Sequence, residues 1–162
     1  MAPESDALLM TDDDALASDA PPPTLRQTIA VLALLNAGVA LYLHLWKLGY
    51  MGALSCGTEH GCEKVQLSSW GWFLGLDVAF IGAVGYTLIL VVAFLGTQDR
   101  HAGERWPTLA LAGLVYPAFL FTLRLKYAEF LLMKTFCPWC AVSAVTITLF
   151  TVLVWLDWKR VR

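Results

Sequence analysis

The stretch TFCPWCAVSAVTITLFTVLVWL, residues 135–156, decides the fold: 22 residues pass without one formal charge. A helix rising about 1.5 Å per residue crosses a hydrocarbon core of roughly 30 Å in about 20 residues, so this is the length of a membrane span. Three more stretches read the same way: 27–46 with 20 residues (His44 neutral), 78–98 with 21, and 106–123 with 18. Apolar types make up 58% of the chain and charged types 15%, against roughly 25% charged in globular proteins. Lipid offers no partner to exposed backbone groups, which excludes open sheets. The chain reads as an all-α membrane protein, a bundle of four transmembrane helices with a loop and short helix between the first two.

Residues 1–24 are a different material. Glu4, Asp6, Asp12, Asp13, Asp14 and Asp19 occur there without a Lys or Arg, and Pro21 to Pro23 follow. This composition predicts a disordered acidic tail ending in a stiff spacer, with the four-helix transmembrane domain at 25–162. The tail lacks the basic start and short apolar core of a cleaved signal peptide, so the first span is expected to stay in the membrane. No basic stripe points to nucleic acid. Arg26, Arg100, Arg105, Lys159, Arg160 and Arg162 fall on one side of the bundle, and Lys47, Lys64, Arg124, Lys126 and Lys134 on the other. That balance decides little. All four cysteines share the second side, and disulfides persist outside the cytosol. The termini are therefore expected in the cytoplasm and the cysteines outside.

The loop from Lys47 to about Phe73 carries Gly49, Gly52, Gly57 and Gly61, and Glu63 to Trp70 has the pattern of a short helix lying over the bundle. Trp46, Tyr50, Trp70, Trp72, Tyr127 and Trp139 fall near the outer ends, Trp106, Trp155 and Trp158 near the inner ones, as amphipathic rings prefer. Pro117 is expected to bend the third span. Asn36 and His44 read as helix contacts, His60 as a solvated loop residue, Lys134 as a membrane-edge anchor and Asp77 as a solvated helix start.

The chemistry lies in the cysteines. In Cys137-Pro138-Trp139-Cys140, Pro138 suits a first helical position, which makes Cys137 the N-cap and puts Cys140 in the first turn. Three residues of helix turn by about 300°, so both sulfurs share a face and can bridge. The positive helix end favours thiolate, the species that attacks disulfides. Cys56 and Cys62 enclose a loop with two glycines that closes and opens easily. Two dithiols near one membrane surface make a two-step electron relay; two structural staples remain the plain alternative. Zinc fits the spacing poorly, and no metal is expected. Cys140, deeper in its helix, is the better placed to meet a lipid-soluble acceptor.

Two loop cysteines, Ser68 six residues after the second, the run Trp70, Gly71, Gly75, Gly82, Gly85 and Tyr86, and a C-x-x-C opening the last span resemble the vitamin K epoxide reductase family, its prokaryotic members most, from about Thr28 to Trp158. The resemblance implies an enzyme, a quinone-dependent thiol-disulfide oxidoreductase of the bacterial inner membrane. Cys56 would exchange disulfides with a thioredoxin-like partner, Cys62 would attack Cys137, and Cys140 would pass electrons to ubiquinone or menaquinone. Ser68 and Trp139 would line the quinone site. The product would be disulfide bonds outside the cytoplasm. Ala144 stands where animal members carry a tyrosine, which favours a simple quinone over the epoxide; epoxide reduction and a non-catalytic scaffold are the alternatives. Asp77 replaces a proline of many relatives. Many prokaryotic members are fused to a thioredoxin-like domain; nothing follows Arg162, so the partner is expected to be a separate chain.

Overall fold

The computed structural model describes residues 23–52, 61–101 and 103–161; most of the acidic tail, Cys56 and His60 lie outside the described residues. Helix α1 (Pro23–Lys47) is followed by the short α2 (Gly61–Leu67), a 3-10 turn (Ser69–Gly71) and strands β1 (Trp72–Phe73) and β2 (Leu76–Asp77). Then come α3 (Val78–Gly96), a second 3-10 turn (Asp99–His101), α4 (Trp106–Tyr127), a π turn (Ala128–Leu132) and α5 (Pro138–Val161). Helices α1, α3, α4 and α5 are each long and apolar enough to cross a membrane. Together with the apolar composition of the chain, these four helices make the molecule an integral membrane four-helix bundle.

Helix α1 packs most extensively on α3, and α4 on α5. Their shared core holds Ile29 and Ala33 from α1, Ile89 and Ala93 from α3, Leu111 and Val115 from α4, and Ile147, Phe150 and Val154 from α5. In lipid the hydrophobic effect does not drive helices together; close packing of small residues and hydrogen bonds do. Ala33 and Ala93, both wholly buried, provide the first. Asn36 provides the second, donating from Nδ2 to the Leu32 carbonyl (2.9 Å) and across to Thr146 Oγ1 on α5 (3.2 Å). Large apolar side chains such as Val31, Leu120 and Val145 face outward, where lipid covers them.

A polar clamp closes the end of the bundle away from the cysteines. Arg26, 2% exposed, donates from Nη1 to the Gly96 carbonyl (2.7 Å) and from Nε to Asp157 Oδ2 (3.4 Å). Thr108 Oγ1 donates to the same Asp157 oxygen at 2.6 Å. One residue from each span meets there, so the guanidinium is neutralised by groups that only the assembled bundle brings together.

At the other end, α4 runs on past its uncharged stretch through Arg124 and Lys126, and two further features depart from the sequence reading. The Arg124 guanidinium stacks over the ring of Trp70 at 4.7 Å, and Lys126 is paired with Glu129, so neither charge is stranded. A hairpin precedes α3, with Trp72 opposite Asp77 and Phe73 opposite Leu76. Its two-residue turn, Leu74 (φ 53) and Gly75 (φ 80), is left-handed at both positions, the backbone of a type I′ turn; Leu74 tolerates this at a cost of about 1–2 kcal/mol. Finally, Asp77 is not solvated. It is 5% exposed, caps α3 by accepting from the Ala79 N–H at 3.0 Å, and binds His44 Nδ1 (2.7 Å) and Lys47 Nζ. The Lys47 ammonium also donates to the Gly71 carbonyl at 3.1 Å. Helix α1, the 3-10 turn and α3 are thereby tied at one carboxylate. His44 is a helix contact, as expected, and its partner is this carboxylate.

Candidate redox site

Pro138 opens α5, and Cys137 caps it. The Cys137 carbonyl accepts from the Ala141 N–H (2.9 Å), and its Sγ lies 3.2 Å from the Cys140 amide, which donates to it. Cys137 and Cys140 form a disulfide, with Cα atoms 5.2 Å apart. One helical turn is what makes this bridge possible, because it stacks the two side chains on one face.

Helix α2 brings Cys62 to the same place. Cys62 and Cys137 are both wholly buried and belong to one apolar cluster with Leu43 and Ala79. Cys62 is itself disulfide-bonded. Gly61 allows the approach: a Cβ there would collide with the Phe136 carbonyl oxygen and lie 2.9 Å from Thr135 Oγ1. Gly71 plays a similar part on the other side of α2, where a Cβ would run into the Gln66 carbonyl. Two backbones thus come together beside two buried cysteines from distant segments.

Beside this cluster is a cavity of about 110 Å³. Cys140 and Trp139 line it, together with Gln66 of α2, Asn36 of α1, Tyr86 of α3, Lys126 of α4, Glu129 of the π turn and Ser143 of α5. Gln66 Nε2 lies 3.7 Å from Cys140 Sγ and donates toward it. Tyr86 and Ser143 join their hydroxyls at 2.7 Å. Trp139 tilts against Tyr42 with ring centroids 6.4 Å apart, which holds the indole at the wall. A second, apolar cavity of about 400 Å³ runs between α3 and α4. Val78, Gly82, Tyr86, Thr122, Leu125 and Ser143 line both, so the two adjoin. Gly82 and Gly85 leave room on α3, and Pro117 of α4 lies opposite them.

The structure therefore brings Cys62, Cys137, Cys140 and Trp139 together, and leaves Cys56 outside the described residues. Ser68 is not in the wall of either cavity; its hydroxyl donates to the Val65 carbonyl at 2.7 Å and finishes α2. The polar wall includes residues to which the sequence reading gave no role in a site: Gln66, Tyr86, Ser143, Lys126 and Glu129. For Glu129 a signal existed, a lone acid within an apolar run, since an intramembrane carboxylate is expensive unless it has work and a partner.

Among the described residues no group of His, Cys, Asp or Glu is arranged to hold a metal. What the site offers is sulfur chemistry: a disulfide at a helix start, a buried cysteine next to it, and a mixed apolar and polar cavity on the far side of Cys140. Residues 27–155 match the family model described as the vitamin K epoxide reductase family.

Proposed function

Because the chain belongs to the vitamin K epoxide reductase family, and is thus a membrane oxidoreductase of quinone-related chemistry, we propose that it oxidises a thioredoxin-like partner and delivers the electrons to a quinone. One observation carries this reading. Cys62 and Cys137 share a buried cluster, whereas Cys140 alone of the described cysteines lines the cavity.

The steps balance as a pair of dithiol exchanges and one quinone reduction. A partner dithiol becomes a disulfide by reducing the Cys56–Cys62 bond. The Cys62 thiolate attacks Cys137 Sγ, the Cys137–Cys140 bond breaks, and Cys140 leaves with the electron pair. Return of Cys56 to Cys62 frees Cys137 as a thiol. Re-forming the Cys137–Cys140 bond passes two electrons to the quinone, and with two protons it becomes the quinol. The net change is dithiol plus quinone to disulfide plus quinol.

The quinone head, of ubiquinone or menaquinone, sits beside Cys140 against Trp139. Its apolar tail follows the cavity between α3 and α4, whose volume is in the range usual for small-molecule sites, about 300–1,000 Å³. The cysteine end faces the outside of a bacterial inner membrane, and the partner is a separate protein that gains the disulfides. The test is turnover by purified protein with a reduced thioredoxin-like protein and a ubiquinone or menaquinone analogue. Cys137→Ala and Cys140→Ala are each expected to abolish it. Unimpaired turnover in either variant contradicts the relay and favours cysteines that merely staple the bundle.

A further inference from the structure

Glu129 sits in the π turn between α4 and α5 and is 1% exposed. Its Oε1 accepts the Cys137 N–H at 2.7 Å, and its Oε2 accepts from Lys126 Nζ at 2.6 Å. Its own carbonyl accepts the Thr135 N–H at 3.2 Å. A carboxylate this deep is costly even when paired, and closing a turn does not require one. What it adds is a carboxylate, paired with Lys126, against the residue that caps the redox helix.

That charge acts on a choice between two sulfurs. The start of α5 carries a partial positive charge, and the Cys140 amide points at Cys137 Sγ. Left alone, these would settle negative charge on Cys137, the sulfur away from the cavity. The Glu129 carboxylate is hydrogen-bonded to the amide of Cys137 itself and opposes them, and it reaches the cavity wall as well. Cys140 is one turn further along, faces the cavity, and has the Gln66 amide group directed at its sulfur.

We propose that Glu129, with Lys126 as its counterion, is a positioning residue that places the negative charge of the opened Cys137–Cys140 pair on Cys140. When Cys62 attacks, the bond formed is Cys62–Cys137, the bond broken is Cys137–Cys140, and the electron pair departs on the sulfur that lines the cavity. The purpose of this bias rests on the relay above; the bias itself does not. Lys126 offsets part of the carboxylate charge, so the pair sets the strength of the effect as well as its direction. Lys134, exposed and three residues before Cys137, is the other nearby cation of the same segment.

The test uses the full chain in detergent, reduced with dithiothreitol and pulsed with limiting N-ethylmaleimide, and reads Cys140 against Cys137 labelling by peptide mass spectrometry. Glu129→Gln keeps an acceptor for the Cys137 amide and removes the charge. It is expected to shift the ratio toward Cys137 by about threefold or more. Lys126→Gln removes the opposing charge and is expected to shift it toward Cys140. Loss of packing alone would move both variants the same way. An unchanged ratio in Glu129→Gln, or shifts of the same sign, overturns the proposal. Should Glu129→Gln fail to fold, Lys126→Gln decides alone, and no shift or a shift toward Cys137 counts against it. No quinone or partner enters the readout, so its failure is distinct from failure of the relay.

Discussion

Replacing Asp77 tests how the outer end of the bundle is held around the cavity. The carboxylate does two jobs: it caps α3 through the Ala79 N–H at 3.0 Å, and it neutralises Lys47, whose side chain is 4% exposed. Loss of an N-cap oxygen costs about 1 kcal/mol, and removing one partner of a buried ion pair costs about 3–5 kcal/mol because the other charge is left stranded. Asp77→Ala is therefore expected to lower stability by about 4–6 kcal/mol, if the two losses add. Asp77→Asn keeps a good cap and is expected to lose only the ion-pair part. Unfolding by SDS titration in mixed micelles reads both. The pH dependence follows from the same contacts. Burial pushes the Asp77 carboxyl up, but hydrogen bonds from Lys47, His44 and the Ala79 amide outweigh it and leave it below its ordinary value of 3.8. A depressed carboxyl contributes stability that is present above the unfolded value and lost as pH falls through the lower folded one. Wild type is thus expected to lose stability below about pH 4, and Asp77→Asn to lack that portion of the acid transition. A loss under about 1 kcal/mol in Asp77→Ala, or equal losses in both variants, would refute the reasoning.

At the opposite end, Asp157→Ala is expected to cost about 3–5 kcal/mol by stranding Arg26, and the apolar double variant Arg26→Met/Asp157→Leu to recover much of it, by the same titration. Gly61→Ala is expected to keep helical content by circular dichroism yet slow formation of the Cys62–Cys137 bond on the order of a hundredfold, the effect of roughly 1 Å of misplacement at a reacting centre. Nothing within 4 Å opposes a Cβ on Gly85, so Gly85→Leu is expected to fold and fill the cavity between α3 and α4. In steady-state assays it is expected to raise the KM for a long-tailed quinone severalfold and leave that for a tailless analogue nearly unchanged.

Spans and motif were legible because they depend on local rules. Lipid imposes length and absence of charge on each helix, and Cys137-Pro138 carries its own capping logic, so α5 and its disulfide follow from 22 residues read alone. The short α2 followed from alternation after Cys62. The wall of the cavity did not, because it depends on which helix faces lie together. Gln66, Tyr86 and Ser143 are ordinary in sequence and meet only through packing. Asp77 shows the same limit: its neighbours along the chain are Leu76 and Val78, and its hydrogen-bonding partners, His44 and Lys47, arrive from another helix. The hairpin was hidden for a different reason. A leucine at a left-handed turn position runs against local preference, and it is tolerated where the aromatic stack of Arg124 on Trp70 and Phe73 fixes the flanking residues.

The central claim is that electrons pass from Cys62 to Cys137. Its most direct test is a Cys56→Ala variant, incubated without quinone, quenched with N-ethylmaleimide and mapped by mass spectrometry. The account predicts a Cys62–Cys137 disulfide together with an alkylated Cys140. Recovery of only the Cys137–Cys140 disulfide with an alkylated Cys62 would contradict it.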